Sequence, residues 1–251
     1  MTALAGAVVI VTGAGSGIGR AAVSAFSAAG AHVLAAGRSS GRLEETAALA
    51  KAPELVTPVH CDVTNGDDVS RTVGHALTRF GRLDCAFNNA GTFGRLGPLH
   101  EDDEDNFDTV VDTNLRGLWL CLKHQIPAMV AQGGGSIVNC ASVAGHRGHP
   151  LTAIYSATKH AVIGLSKSAA LQYAADGVRV NVVSPGATDT DMLRSLYPSE
   201  QALDARASRM PLQRLASADE VANAAVWLAG PLASYVTGQT LIVDGGGTAQ
   251  G

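Results

Sequence analysis

Tyr155 and Lys159 lie four residues apart in the stretch 152–168, and Ser142 stands thirteen residues before the tyrosine. On a helix, a spacing of four stacks two side chains one turn apart on the same face. A phenol ordinarily loses its proton near pH ~10. An ammonium one turn away favours the phenolate and lowers that value, so the pair can present an acid or a base usable near neutral pH. Ala157, Ala161, Gly164 and Leu165 make the segment helical and leave room for close packing. The apolar run that begins at Ser136 reads as a buried strand, with Ser142 at its C-terminal end. A Tyr-x-x-x-Lys pair alone also occurs on solvated helices, so its surroundings decide its meaning.

Those surroundings begin with a strand over 7–11 that runs into Thr12, Gly13, Ala14, Gly15, Ser16, Gly17, Ile18 and Gly19, followed by a helix to about residue 29. Strand, glycine turn and helix form an arrangement that cradles a pyrophosphate. Glycines let the backbone approach the phosphates, and the helix N-terminus supplies N–H groups and a favourable dipole. A second strand over 32–36 ends in Gly37, Arg38, Ser39 and Ser40. An NAD site would carry an acid there for the ribose hydroxyls. Arg38 can instead pair with a 2′-phosphate, which points to NADP(H) with NAD(H) as the alternative cofactor.

Further strands are expected over 55–61, 83–87, 136–142, 178–184 and 240–243, with helices over 41–51, 66–79, 106–132 and 217–228. Asp62, with Val63 closing the third strand, can receive an adenine amine or cap the next helix. Asn88, Asn89, Ala90 and Gly91 end the fourth strand with small residues that let the backbone touch a ribose. Ser217 is the expected N-cap of the last helix. Residues 187–212 read as a short helical lid, on which Met192, Leu193 and Leu196 offer an apolar wall to a substrate. Seven strands alternating with helices argue for one α/β domain over 1–251, a Rossmann-like doubly wound parallel sheet with helices on both faces.

Composition narrows the function. The 251 residues are 46% hydrophobic and 16% charged, with a net charge of −4 and no basic block, which argues against nucleic acid. No run of ~18 apolar residues and no charged-then-apolar leader is present, so a cytoplasmic protein without a membrane partner is expected. Cys61, Cys85, Cys121 and Cys140 are widely spaced and read as buried reduced thiols. The acidic run 101–105 is consecutive, not convergent, and reads as a solvated helix start; no metal is expected. His146, Arg147 and His149 read as solvated or rim residues.

Taken together, the glycine turn 12–19, the 88–91 turn, Asn114, Ser142, Tyr155 with Lys159, Pro185 and Gly186 followed by Thr190, and the Val243–Gly246 turn resemble the short-chain dehydrogenases/reductases in order and spacing over essentially the whole chain. The resemblance implies an oxidoreductase that passes a hydride between a nicotinamide cofactor and a ketone or secondary alcohol: a ketoreductase, reversibly an alcohol dehydrogenase. Tyr155 would be the general acid/base, Ser142 a donor to the same oxygen, and Lys159 a ribose ligand that lowers the Tyr155 pKa. Asn114 would kink its helix and hold a water for proton relay. Pro185, Gly186, Thr188, Thr190 and Met192 would meet the nicotinamide end. Ala144, Gly186 and Leu193 would meet substrate. A homotetramer built on the helices near 106–132 and 154–175 is also implied. Two other functions compete. A 3-oxoacyl-[acyl-carrier-protein] reductase would need a basic docking patch, but 128–136 carries no positive charge and Gln172 stands where such enzymes tend to carry arginine. A nucleotide-sensing regulatory protein would have no need of both Tyr155 and Lys159.

Overall fold

The computed structural model describes residues 4–197 and 199–250; residues 1–3 and 251 of the expected domain, and position 198 of the expected lid, lie outside the described residues. Seven strands form one parallel sheet in the order β3-β2-β1-β4-β5-β6-β7. They are β1 Val8–Thr12, β2 His32–Gly37, β3 Val56–His60, β4 Cys85–Asn88, β5 Gly135–Cys140, β6 Val178–Pro185 and β7 Thr240–Val243. β1 is rich in β-branched residues and wholly buried, as a strand covered on both faces must be. Its side chains alternate between two cores. Val8 and Ile10 join the cluster under α3 (Gly66–Phe80), α5 (Gly117–Ala131) and α6 (Ala153–Tyr173). Val9 and Val11 join Phe26, Phe87 and Leu228 under α1 (Gly17–Ala28) and α9 (Ala218–Ala229). Burying each phenylalanine side chain contributes roughly 1.5–3 kcal/mol.

The strand order reverses between β1 and β4, and in open α/β sheets a crevice opens beyond the strand C-termini at that point. Local chemistry fixes the elements that reach it. α2 (Ser40–Leu49) follows β2, and Gly81 closes α3 in the left-handed conformation at φ 75°. Ser217 and Glu220 make the reciprocal capping box expected at the start of α9.

Several expectations need correction. The helix expected over 106–132 is three pieces: α4 Glu104–Val111, a wide π-turn Asp112–Arg116, and α5. It widens where the resemblance implied a kink, while Pro127 sits inside α5 without ending it. Asp62 does not cap α3. That cap is Asn65, whose side chain accepts from Asp67 N, while Asp62 Oδ1 accepts from Thr64 N and Oγ1 at 3.0 and 2.8 Å. β5 stops at Cys140, two residues before Ser142, whose hydroxyl instead caps the 3₁₀ turn Val143–Gly145 through Ala144 N. The stretch after β6 folds as two short helices, α7 Asp191–Arg194 and α8 Glu200–Ala207. Arg194 joins them by pairing with both Asp189 and Glu200 at 2.6 Å.

Candidate active site

A cleft of about 330 Å³ runs along the switch point. One end is walled by Gly37, Arg38, Ser39, Arg42, Asp62 and Val63. The middle is walled by Gly13, Gly15, Ser16, Gly17, Ile18, Asn89, Ala90 and Gly91. At the other end stand Ser142, Tyr155, Lys159, Pro185, Gly186, Thr188, Thr190, Met192 and Leu193. Three expected residues lie off this wall. Gly19 packs behind it, where a Cβ would stand 2.1 Å from Gly13 O. Asn114 is buried behind Gly91, and Ala144 packs among Val110, Ile154 and Tyr155. Of the apolar lid residues, Met192 and Leu193 reach the cleft but Leu196 does not.

The middle fits a dinucleotide. At Gly13 a Cβ would sit 2.9 Å from Ala90 Cα, and at Gly17, with φ 48°, it would press on Thr190 at 3.1 Å. Only glycine keeps this floor bare, and the N-terminus of α1 opens onto it. Thr12 Oγ1 accepts from Asn89 N and Ala90 N at 3.0 and 3.2 Å, fixing the floor's second side.

α6 presents Tyr155 and Lys159 on one face, both buried. Lys159 Nζ donates to Cys140 O at 2.9 Å and lies 5.5 Å from the Tyr155 ring centroid. Burial raises the Tyr155 pKa above the usual phenol range, with the Ser142 hydroxyl pulling it down. Burial also lowers Lys159. The downward shift expected for Tyr155 is therefore not what the protein chain alone produces. The ammonium is spent on a carbonyl, and the cost of a buried phenolate dominates. Asn114 is fully engaged through its side chain. Oδ1 accepts from Thr92 N at 2.8 Å, and Nδ2 donates to Thr92 O and Thr158 Oγ1 at 2.9 and 3.2 Å. Behind α6, Asn88, Gln125, Asn139 and Ser166 form a buried amide and hydroxyl chain with links of 2.9–3.0 Å. It ties α6 to the sheet.

Among the wall residues that escaped sequence reasoning, Arg42 and Phe93 bear most on the site. Arg42 packs its Cβ 3.2 Å from where a Gly15 Cβ would be, beside the phosphate turn. The only hint in the sequence was an Arg-x-x-x-Arg spacing across the start of α2. Phe93, two residues beyond the 88–91 turn, sets its ring 4.3 Å from that of Tyr155. The four cysteines are buried, and burial pushes their thiols up, Cys85 to about 12. His146 Nε2 lies 3.0 Å from Ser184 Oγ, outside the cleft wall.

Comparison with known proteins agrees with this geometry. A family model described as enoyl-(acyl carrier protein) reductase matches residues 13–248. The A-factor type gamma-butyrolactone 1'-reductase (1S-forming) of Streptomyces virginiae is 42% identical over 96% of this chain and 95% of its own. A 2,5-dichloro-2,5-cyclohexadiene-1,4-diol dehydrogenase of Sphingobium indicum is 42% identical over 99% of this chain and 100% of its own. The crystal structure of levodione reductase superposes with a TM-score of 0.91 at 36% identity, covering 98% of this chain and 99% of that one. A bare glycine cradle at a switch point, a buried Tyr–Lys pair on its wall and relatives matched end to end lead to one conclusion: the chain belongs to the short-chain dehydrogenase/reductase family of nicotinamide-dependent oxidoreductases.

Proposed function

We propose that the protein is an NADPH-preferring reductase of a small uncharged ketone, reversibly a secondary-alcohol dehydrogenase. The observation that carries this is the buried Tyr155 phenol on the cleft wall beside Ser142 and one turn from Lys159. A bound nicotinamide supplies a hydride to the carbonyl carbon, or takes one from the alcohol. Tyr155 Oη gives its proton to the carbonyl oxygen as charge builds there, and Ser142 Oγ donates a hydrogen bond to the same atom. Burial keeps the phenol protonated through neutral pH, so the site stands loaded for reduction. Lys159 anchors the ribose and, with Cys140 O, fixes the floor beneath the phenol. Because the Asn114 amide is already used, a proton relay past it runs through its main chain in the π-turn.

Arg38 and Arg42 support the cofactor choice. Both are exposed on the cleft wall, and neither has an ion-pair partner among the described residues, whereas Arg20 nearby is paired with Glu45. Two free guanidinium groups at one end suit a 2′-phosphate. Residues 187–212 act as the substrate lid, with α7 and α8 as its rigid parts. The working form is a cytoplasmic homotetramer, to which Trp119 on α5 and Leu171 on α6 offer exposed apolar surface. No helix among the described residues is long and apolar enough to cross a membrane.

The second reading, a reductase of acyl-carrier-protein thioesters, draws on the description of the matching family model. The two readings separate on one panel. Purified protein is given NADPH with cyclic and open-chain ketones and with acetoacetyl thioesters, and cofactor absorbance is followed. Turnover of simple ketones with no gain from a carrier-bound thioester supports the first; the reverse order rejects it.

A further inference from the structure

We infer that Phe93 makes the reacting end of the cleft selective for an uncharged ring ketone over an open-chain or anionic one. The inference rests on the ketoreductase reading and names the substrate class of that same site. The Phe93 ring is tilted 47° to the Tyr155 ring at a centroid distance of 4.3 Å, and it shares the wall with Ser142, Met192 and Leu193. A carbonyl oxygen held by Tyr155 and Ser142 therefore carries its remaining atoms between a flat aromatic face and the apolar lid side chains.

The face is rigid because the backbone on both sides of it is fixed. Before it, Thr92 N and O are both bonded to the buried Asn114 amide at 2.8 and 2.9 Å. After it, Gly94 adopts φ 70°, and a Cβ there would lie 2.4 Å from Val110 Cγ2 and 2.5 Å from Asn106 Oδ1. That same Asn106 Oδ1 accepts from Arg95 N at 2.8 Å. The ring is partly buried against the cluster of Val110, Ala144, Ile154 and Tyr155. A preformed flat wall favours a compact, rigid ring over a flexible chain. Such a ligand covers the ring without freezing rotors, whereas an open chain must order several.

Charge narrows the class further. The cleft's free cations, Arg38 and Arg42, are at the opposite end, and Lys159 is turned to Cys140 O. Arg95 and Arg147 are off the cleft wall and have partners of their own: Arg95 pairs with Asp102 and Asp103, and Arg147 reaches Gly247 O at 3.5 Å. Among the described residues, the charge on the wall at this end without an ion-pair partner is the acid Asp191. A carboxylate, sulfonate or phosphate on the substrate would lose water and find no partner.

The test measures kcat/KM with NADPH for cyclohexanone, 2-hexanone and 4-oxocyclohexanecarboxylate in wild type and in Phe93→Leu, which keeps apolar volume but removes the flat face. Cyclohexanone should lead 2-hexanone by about tenfold and the carboxylate by at least about tenfold. In Phe93→Leu the ring advantage should shrink to about threefold or less, chiefly through a raised KM for cyclohexanone. A second readout needs no turnover: the rise in melting temperature that cyclohexanone gives the NADP+-loaded protein should be larger in wild type than in the variant. A ring advantage absent from wild type, undiminished in Phe93→Leu, or a carboxylate preferred to cyclohexanone overturns the inference while the ketoreductase reading stands. Ring binding that depends on Phe93 without any ketone turnover supports the inference and overturns that reading instead.

Discussion

At the reacting end of the cleft, Tyr155 and Lys159 are buried and held by the Cys140 carbonyl, the Asn88–Gln125–Asn139–Ser166 chain and the length of α6. At the opposite end, Arg38, Ser39 and Arg42 are exposed side chains at the start of α2. Under the proposed function the difference separates two tasks. Proton transfer needs one geometry in a water-poor place, so its groups are built into the core. Choosing between cofactors needs only a favourable charge at the surface, so its groups can be exchanged without disturbing the fold.

The sharpest way to break this contrast is Tyr155→Phe. The ring and its packing on Phe93 remain, and the proton donor goes. Turnover should fall on the order of 10²–10⁴-fold while NADPH affinity stays within about threefold. Stopped-flow reduction rates and fluorescence titration check the two halves; a variant above about a tenth of wild-type kcat removes Tyr155 from the mechanism.

Next in size is the surface end. Arg38→Ile with Gly37→Asp should reverse a preference for NADP(H) of roughly ten- to hundredfold, since a charge-assisted phosphate contact contributes ~1.5–3 kcal/mol. A Cβ at Gly37 would press most on the Leu43 side-chain tip at 3.3 Å, which can give way, with Ala14 N in ordinary contact at 3.8 Å. Arg42→Ala alone should cost about threefold in NADPH KM and leave NADH unchanged. A wild type that already prefers NADH ends the assignment of both arginines.

A third effect distinguishes the two directions of reaction. Because burial raises the Tyr155 pKa, the phenol stays protonated as pH rises through neutrality. Ketone reduction, which uses that proton, should stay flat from pH ~6 to ~8. Alcohol oxidation needs the deprotonated form and should climb steadily into the alkaline range. Lys159→Met should push the oxidation profile to still higher pH, by removing the one ammonium near the ring. Identical oxidation profiles in the two proteins would sever Lys159 from the phenol.

The smallest effect lies outside the cleft. Ser217→Ala removes the α9 N-cap and should cost ~1 kcal/mol, a melting shift of about 2–4 °C, without changing kcat.

The same contrast explains what could be read from the sequence. The sheet was legible because β-branched runs at regular intervals leave few other folds, and each glycine of the cradle has a steric reason that any sequence must meet. Tyr155, Lys159 and Ser142 were legible because a helical spacing of four and a nearby strand end are local facts. Phe93 was not, because it has no local pattern, and Arg42 offered no more than its spacing from Arg38. Each matters through a partner brought close by the fold, Tyr155 in one case and Gly15 in the other. The direction of the Tyr155 pKa shift was misread for the same reason. Spacing reports a neighbouring charge but not depth, and depth dominates. The π-turn was legible only in part: the resemblance implied a kink at Asn114 but not its form, and the weak helix formers Gly117 and Pro127 do not say which way the helix gives.

That turn amounts to one residue more than an α-helix needs, absorbed between α4 and α5. Deleting one residue within 112–116 would let the turn close to ordinary spacing with the flanking helices still in phase. The Asn106 contact with Arg95 and the Gln125 contact with Asn88 would then survive. The Asn114 amide would lose its reach to Thr92. The shortened chain should therefore melt lower than its parent, because a buried amide loses partners at 2.8 and 2.9 Å. The extra residue is what lets the helix run on while the Asn114 amide reaches Thr92.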